Sequence, residues 1–185
     1  MIQEILAEAE DKMKKSLDAT RHEFSLIRTG RANPAILEHV LVSYYGSDLP
    51  IRDVATITVP EPRQLLITPF DKGALPAIEK GILKSDLNLT PNSDGIVVRI
   101  NIPPLNEERR KEFIKALHKK AETGHAAMRN IRHDANNHMK ALTKKKEIGE
   151  DEEKRATDKV QKFTDQYIGE IEKAKAHKEH ELMEV

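Results

Sequence analysis

The sequence predicts an α+β protein in which a three-helix bundle carries a small inserted domain of strands and one short helix. Two observations predict this class. Apolar residues recur every three or four positions in residues 1–29 and again in residues 105–185, as in helices with one buried face. Between these segments the apolar period changes to two, as in strands. Because a helix with a single apolar stripe is not stable alone, the helices are expected to bury their stripes against each other.

The first helix is predicted to end near residue 29. Gly30 suits the position just past a helix end, and Asn33 followed by Pro34 is typical of the cap and first residue of a short new turn. The apolar stripe of this helix consists of Ile2, Leu6, Ala9, Met13, Leu17, Thr20, Phe24 and Ile27.

Residues 30–104 have the pattern of strands with one short helix. Four β-branched or aromatic stretches end at Gly, Pro, Asp or Asn: LEHVLVSYYG, VATITV, RQLLITPF and GIVVRINIP. In the last stretch the residues expected on the buried face are Ile96, Val98, Ile100 and Ile102. A helix covering one sheet face is predicted from Leu75, Ile78, Ile82 and Leu83.

Two further helices are predicted after the prolines that end the last strand. Asn106 is a candidate cap for a helix of about 40 residues, and Gly149 separates it from the next helix, which starts with acidic residues. The stripe of the long helix consists of Ile114, Leu117, Ala121, Gly124, Met128, Ile131, Ala135, His138 and Leu142. The last stripe consists of Ala156, Val160, Phe163, Tyr167, Ile171 and Ala174.

The predicted domains are therefore a bundle of residues 1–29 and 105–185 and an insert of residues 30–104. The chain crosses between them twice, near Gly30 and Arg31 and again near Pro103 and Pro104. A double connection of this kind can act as a hinge, and we expect a hinge at these four residues.

Composition excludes several classes of protein. The chain has 34% charged residues, a mean hydropathy of −0.62 and no apolar run of the roughly 20 residues that a spanning helix needs. Its start lacks the pattern of a secretory signal, so we expect a cytoplasmic protein. The sequence contains no cysteine, which removes disulfides, thiolate metal sites and cysteine nucleophiles.

The positive charge is concentrated in one helix, although the net charge of the chain is zero. Residues 105–146 contain 12 Lys and Arg against 5 Asp and Glu, a net charge of +7, whereas residues 147–185 have a net charge of −5. Lys111, His118, His125 and Arg132 are seven residues apart and form a stripe beside the apolar seam. Solvation of the helix and phosphate binding explain such a stripe equally well. If the stripe binds an anion, its arginines, with little acidic compensation, favour RNA as the partner.

Catalytic sites are not predicted. The chain has no GxxxxGK[ST], GxGxxG or HExxH motif, and its acidic pairs lie in first helical turns, where capping accounts for them. We expect no catalytic residue, no metal site and no cofactor. Few aromatic residues are available to stack on bases, so structured RNA read through its backbone fits better than single strands. A generic RNA-binding bundle and a charged scaffold for proteins remain alternatives.

Seven segments in order resemble the bacterial ribosome recycling factor family along the whole chain: LIRTGRANP, YYGSDLPI, LLITPFDK, AIEKGILKSDLNLTPNSDG, IPPLNEERRKE, MRNIRHDANN and EDEEKRATDKVQKFTDQYI. The resemblance implies an antiparallel three-helix bundle with an inserted small β/α/β sandwich domain, which together form an L-shaped monomer of tRNA-like dimensions. It also implies binding to the post-termination ribosome, chiefly to large-subunit ribosomal RNA. Subunit splitting would occur together with elongation factor G, which hydrolyses the GTP.

The resemblance also implies which residues bind ribosomal RNA. Those carried over from the family are Arg132, Arg129, Arg110, Arg109, His133, Arg28 and Arg31. His133 departs from the family pattern, which commonly has arginine at this position, and a histidine does not carry a fixed positive charge near neutral pH. The insert resembles the part of the family that meets the GTPase.

Overall fold

The computed structural model describes residues 1–184, which divide into two compact units. One unit contains Met1–Ile27 and Lys111–Glu184, and the other contains Arg28–Arg110. The predicted mixed fold, with long helices and a small β-containing domain, is confirmed. The domain boundaries predicted at residues 29/30 and 104/105 stay a prediction. No helix in the described part of the chain is long and apolar enough to cross a membrane.

The chain forms five α-helices, two short 3-10 helices and six strands in residues 1–184. In order they are α1 (Ile2–Ser25), a 3-10 helix (Pro34–Leu37), β1 (Leu41–Tyr44), β2 (Ser47–Pro50), α2 (Ile51–Val54), β3 (Ala55–Glu61), β4 (Gln64–Pro69), a 3-10 helix (Lys72–Ala74), α3 (Leu75–Lys84), β5 (Pro91–Ser93), β6 (Val98–Asn101), α4 (Glu107–Lys144) and α5 (Glu150–Met183).

The first unit is a three-helix bundle of α1, α5 and most of α4. All three helices come close together at Gly124 of α4, where an added Cβ atom would lie 2.8 Å from the Thr20 Oγ1 of α1 and 3.2 Å from the Ile171 Cδ1 of α5. Thr20 of α1 lies beside Gly124 of α4, and α1 residues 5–12 lie beside α4 residues 131–138, so α1 and α4 run antiparallel. Fully buried side chains of the bundle include Met13, Leu117, Met128, Met139, Val160 and Ile171.

The lack of a side chain at Gly124 is needed for this helix contact. Gly124→Ala should lower the free energy of unfolding of the bundle, because an overpacked core typically costs about 1–3 kcal/mol and the gain in helix propensity is only about 1 kcal/mol. In a Thr20→Ala background, which removes the two atoms nearest to the new methyl group, the same change should stabilise. Chemical denaturation of the four proteins measures this coupling, and equal effects of Gly124→Ala in both backgrounds would contradict it.

The second unit has two antiparallel sheets that share one core with α3. β1 and β2 form a two-stranded sheet, and the other sheet has the order β3-β4-β6-β5. α3 packs against β1 and β5. Residues at the centre of this core are fully buried: Leu37, Val42, Ile51, Leu65, Ile67, Ile78, Ile82, Val98 and Ile100.

Three predicted helix starts are confirmed by capping contacts. The Asn33 Oδ1 accepts a 3.0 Å hydrogen bond from the Ala35 N–H and begins the turn at Pro34. The Asn106 Oδ1 accepts a 2.8 Å bond from the Arg109 N–H at the start of α4. At Gly149 the side chain of Glu152 supplies the cap, since its Oε2 accepts a 2.9 Å hydrogen bond from the Gly149 N–H. Side-chain oxygens thus satisfy backbone donors that helices leave unpaired.

Two predictions in the insert were wrong in detail. The side chain of Ile96 is 59% exposed, because Asp94 forms a tight turn there whose carboxylate accepts from the N–H groups of Ile96 and Val97. These bonds lower the pKa of Asp94 to about 2. Leu83 is 65% exposed on the outer face of α3. The strands β2 and β5 were not predicted.

The helical predictions also need correction. α1 ends at Ser25, so Gly30 lies several residues beyond the end of the helix. On α4, Met139 is buried in place of the predicted His138, which is exposed, because the packed face drifts by one position after Ala135. Ile131 is only half-buried.

Candidate nucleic-acid interface

Arg129, Arg132 and His133 lie within about one turn of each other in the second half of α4. The half-buried Arg132 donates from its Nη1 to the Oε1 of Gln161 on α5, at 3.3 Å. The Gln161 Nε2 in turn donates to the Asp165 Oδ1 at 2.9 Å. The direct partner of Arg132 is therefore a neutral amide, which leaves its positive charge available to an anion.

Arg129 has a charged partner. Its Nη2 lies 2.7 Å from the Oε1 of Glu122, and both side chains are exposed. The hydrogen bond from Arg129 lowers the pKa of Glu122 below its ordinary value. The sequence-based expectation of little acidic compensation was therefore wrong at Arg129, because Glu122 lies seven residues earlier on the same face of the helix.

Glutamates also lie beside the two histidines of the basic stripe of α4. The Nε2 of His118 lies 3.5 Å from a carboxylate oxygen of Glu179, and the Nε2 of His125 lies 2.9 Å from Glu172. Both carboxylates belong to α5, which carries the acidic end of the chain. The stripe is consequently less uniform than the sequence indicates, and within the second half of α4 Arg132 is the arginine whose described contact is uncharged.

A second group of predicted residues belongs to the smaller unit, at the start of α4 and after α1. Arg28 is half-buried and donates from its Nη2 to the backbone oxygen of Leu87. Burial lowers the pKa of Arg28, and the positive charge of Arg109 lowers it further. This contact connects the segment after α1 to the loop after α3, so Arg28 has a structural role within the unit.

The other arginines of this group differ in exposure. Arg31 and Arg109 are exposed, whereas Arg110 is half-buried. The Nε of Arg110 is buried without a hydrogen-bond partner among residues 1–184. Arg109 and Arg110 are about five turns away from Arg129 along α4, so the predicted residues form two separate groups.

The predicted hinge residues include a glycine whose conformation restricts substitution. Gly30 has a φ of +77°, a region that residues with a side chain rarely adopt. A Cβ atom at this position would lie 3.5 Å from the backbone nitrogen of Leu105, next to Pro104. The two predicted crossings of the chain are therefore neighbours within the smaller unit.

A metal site does not emerge from the described residues. Within residues 1–184, no three His, Asp or Glu side chains are grouped as metal ligands.

The family model described as ribosome recycling factor matches residues 20–183 of this chain. This range covers most of both units. The chain belongs to the ribosome recycling factor family.

Curated relatives match the chain over its full length. The ribosome-recycling factor of Carboxydothermus hydrogenoformans is 53% identical over 185 residues and is covered completely, as is this chain. The ribosome-recycling factor of Heliobacterium modesticaldum is 54% identical with the same complete coverage. The resemblance identified from the seven sequence segments is therefore confirmed.

Solved structures of ribosome recycling factors have the same fold. A solution structure of the ribosome recycling factor matches with a TM-score of 0.80 and 44% identity, covering 100% of this chain and 98% of that one. Models of the T. thermophilus ribosome recycling factor and the E. coli elongation factor G bound to the E. coli post-termination complex include a chain that matches with a TM-score of 0.71 and 44% identity, with complete coverage of both chains.

Sequence reasoning missed the partners of the arginines in this recycling-factor bundle. The Glu122 partner of Arg129 could have been found, because a separation of seven residues places both on one face of α4. Gln161 could not, because it lies on another helix and the relative register of α4 and α5 depends on packing.

Proposed function

We propose that this chain is a working ribosome recycling factor. It binds the post-termination ribosome and, with elongation factor G and its GTP hydrolysis, splits the ribosome into subunits, so that messenger RNA and deacylated tRNA are released. This proposal rests on the match of the whole chain, including both units, to ribosome-recycling factors that are 53% and 54% identical to it. The pairing of such a factor with elongation factor G on a post-termination complex supports the choice of partner.

The proposed ribosomal RNA interface centres on Arg132. The Arg132 guanidinium can leave the uncharged Gln161 side chain and bind a phosphate, and no carboxylate loses its partner in this exchange. Arg129 contributes after giving up Glu122, and His133 is exposed beside them. Arg109, Arg110 and Arg31 form a second contact region, and Arg28 supports it through its bond to the Leu87 oxygen. Guanidinium groups suit this task because their planar donors match phosphate oxygens.

The proposed hinge lies at Gly30 and Arg31 and at Pro103 and Pro104. Support comes from the unusual φ of Gly30 and from the missing backbone donors of the two prolines, which leave these connections outside regular structure. We propose that the chain acts as a cytoplasmic monomer, since its partner is the ribosome, and that it has no catalytic activity of its own.

A subunit-splitting assay tests the proposed function. Ribosomes carrying messenger RNA and deacylated tRNA should dissociate when this protein, elongation factor G and GTP are all present, and omission of any one should prevent splitting. Light scattering measures the dissociation. Ribosome binding without splitting would favour a generic RNA-binding bundle, and absence of binding would favour a scaffold for proteins.

A separate measurement concerns nucleotide chemistry. The purified chain should neither bind nor hydrolyse GTP, because its sequence has no phosphate loop. Equilibrium dialysis with labelled GTP and a phosphate-release assay measure the two properties. Saturable binding in the absence of elongation factor G would contradict the proposal that all nucleotide chemistry belongs to the partner.

A further inference from the structure

A groove lies between α3 and the outer side of β1 in the smaller unit. It encloses about 630 Å³, within the range of about 300–1,000 Å³ typical of ligand clefts. Its walls come from β1 and the residues before it, from β2 and from α3: His39, Val40, Leu41, Ser43, Asp48, Ala77, Lys80, Gly81, Lys84 and Ser85. None of these residues belongs to the proposed ribosomal RNA interface.

The register of the β1–β2 hairpin determines which backbone groups face the groove. Tyr45 and Gly46 form a two-residue turn with φ values of +49° and +80°, as a type I′ hairpin requires, and Tyr44 pairs with Ser47. In an antiparallel ladder closed this way, residues bonded to the partner strand alternate with residues whose backbone points outward. The N–H and C=O of Ser43 therefore point away from β2.

The helix α3 contacts this edge of β1 at Leu41. At Gly81 an added Cβ atom would lie 2.5 Å from the backbone oxygen of Leu41. This oxygen points away from β2, as the register requires. In the described residues β1 has only β2 as a neighbouring strand, so the edge beyond Leu41, at Ser43, is open to the groove.

The side chains around this edge are cationic and partly apolar. Lys80 and Lys84 are exposed and lie four residues apart, so they project from the same side of α3. Asp48, opposite Ser43 in the register, is the acidic residue among the lining residues. Leu41 adds an apolar surface, since its side chain is 54% exposed.

We propose that this groove binds an extended acidic segment of a protein, which adds as a strand to β1. Its backbone would pair with the N–H and C=O of Ser43, and its carboxylates would meet Lys80 and Lys84. An apolar side chain two residues from a carboxylate lies on the same face of an extended segment and would contact Leu41. Strand addition of this kind obtains affinity from main-chain bonds and specificity from alternate side chains.

The composition of the groove favours a protein segment over RNA. Its cations are lysines, and the lining contains no arginine to form a fork with phosphate. The exposed Leu41 has no partner in a phosphate backbone. Lysines beside an open strand edge also disfavour pairing with β1 of a second copy of the chain, because like charges repel each other. The same lysines attract an acidic strand.

Binding of a synthetic peptide to the full chain tests this proposal. The probe is a short, end-blocked, fluorescent peptide with the repeat Glu-Thr-Val-Thr, in which each valine lies two residues from a glutamate and on the same face, and its binding is measured by anisotropy at low salt. Lys80→Glu with Lys84→Glu should weaken binding about tenfold or more, because two attractive charges become repulsive. The matched control, Lys72→Glu with Arg52→Glu, changes exposed cations of the same unit outside the groove and should leave the affinity unchanged.

Backbone pairing gives an independent readout. Hydrogen exchange of the Ser43 amide, followed by NMR, should slow when the peptide binds, and a backbone N-methylated peptide should bind much more weakly. Asp48→Asn should tighten binding about two- to fivefold by removing a repulsive charge, and this gain keeps the proposal testable if the double lysine variant folds poorly.

Several results would overturn the proposal. They are absence of peptide binding, binding without protection of Ser43, equal binding of the N-methylated peptide, and tighter binding of a short single-stranded RNA that depends on Lys80 and Lys84. The proposal does not rest on the recycling function, because peptide binding is measured on the chain alone, without ribosomes or elongation factor G. Its failure would leave the result of that assay unchanged.

Discussion

Replacing Arg132 with alanine should lower the affinity of the chain for the large ribosomal subunit by about ten- to hundredfold. This range follows from the loss of a charged hydrogen bond to phosphate, which typically contributes about 1.5–3 kcal/mol. The slope of log affinity against log salt should fall by about one, because one fewer counterion is released. The free energy of unfolding should change by less than about 0.5 kcal/mol, since the described contact of Arg132 is a 3.3 Å bond to a neutral amide.

Three matched variants make this result specific. Arg132→Lys should restore only part of the affinity, because an ammonium group has the charge but not the planar donors. Gln161→Ala removes the intramolecular partner and leaves the guanidinium, so it should not weaken binding. Arg129→Ala should cost less than Arg132→Ala, because Arg129 must first leave Glu122. Unchanged affinity and salt dependence of Arg132→Ala would mean that the arginine only solvates the helix.

The helices were predictable because their signals are local and repeated. Caps at Asn33 and Asn106 and the break at Gly149 fix where three elements begin, and the capping contacts bear them out. The apolar period fixes which face of each helix is buried over many turns. It fails at His138 and Met139, since a helical repeat drifts relative to a repeat of seven residues and only packing decides which neighbour faces the core.

The small strands were less predictable because their pairing is not local. β5 contains only Pro91–Ser93, a segment without β-branched residues, and it is a strand because it pairs with β6. Ile96 has strong strand propensity, yet it is exposed because Asp94 binds the backbone of the turn. Tertiary contacts therefore override propensity at both positions.

The candidate site was predictable as a set of residues and not as a set of contacts. Arg129 and Arg132 follow from the seven matched segments and from the basic region of α4. The carboxylate partner of Arg129 could have been found from its spacing of seven residues, whereas the amide partner of Arg132 requires the three-dimensional structure, because it lies on α5. The groove beside β1 was not predicted, since β2 was missed and the open edge could not be recognised without the hairpin register.

Met128→Ala should have the opposite profile to Arg132→Ala. Met128 is fully buried on α4, one turn before Arg132, and its truncation leaves a cavity among the three helices. Buried Met→Ala changes typically cost about 2–5 kcal/mol, from lost burial and from the cavity. The bundle unfolding transition, followed by circular dichroism in denaturant, should shift by this amount. Binding to the large subunit should remain close to that of the unchanged protein at temperatures well below the transition.

The control for this prediction is Met128→Leu, which nearly conserves volume and should cost less than about 1.5 kcal/mol. A loss below about 1 kcal/mol for Met128→Ala would mean that the bundle collapses around the cavity or that this part of α4 is loosely packed. If Met128→Ala instead weakened ribosome binding as strongly as Arg132→Ala while remaining folded, binding would depend on the exact course of α4 rather than on the guanidinium alone. The two residues lie four positions apart on one helix, so a difference between their variants separates the stability of the bundle from its interaction with RNA.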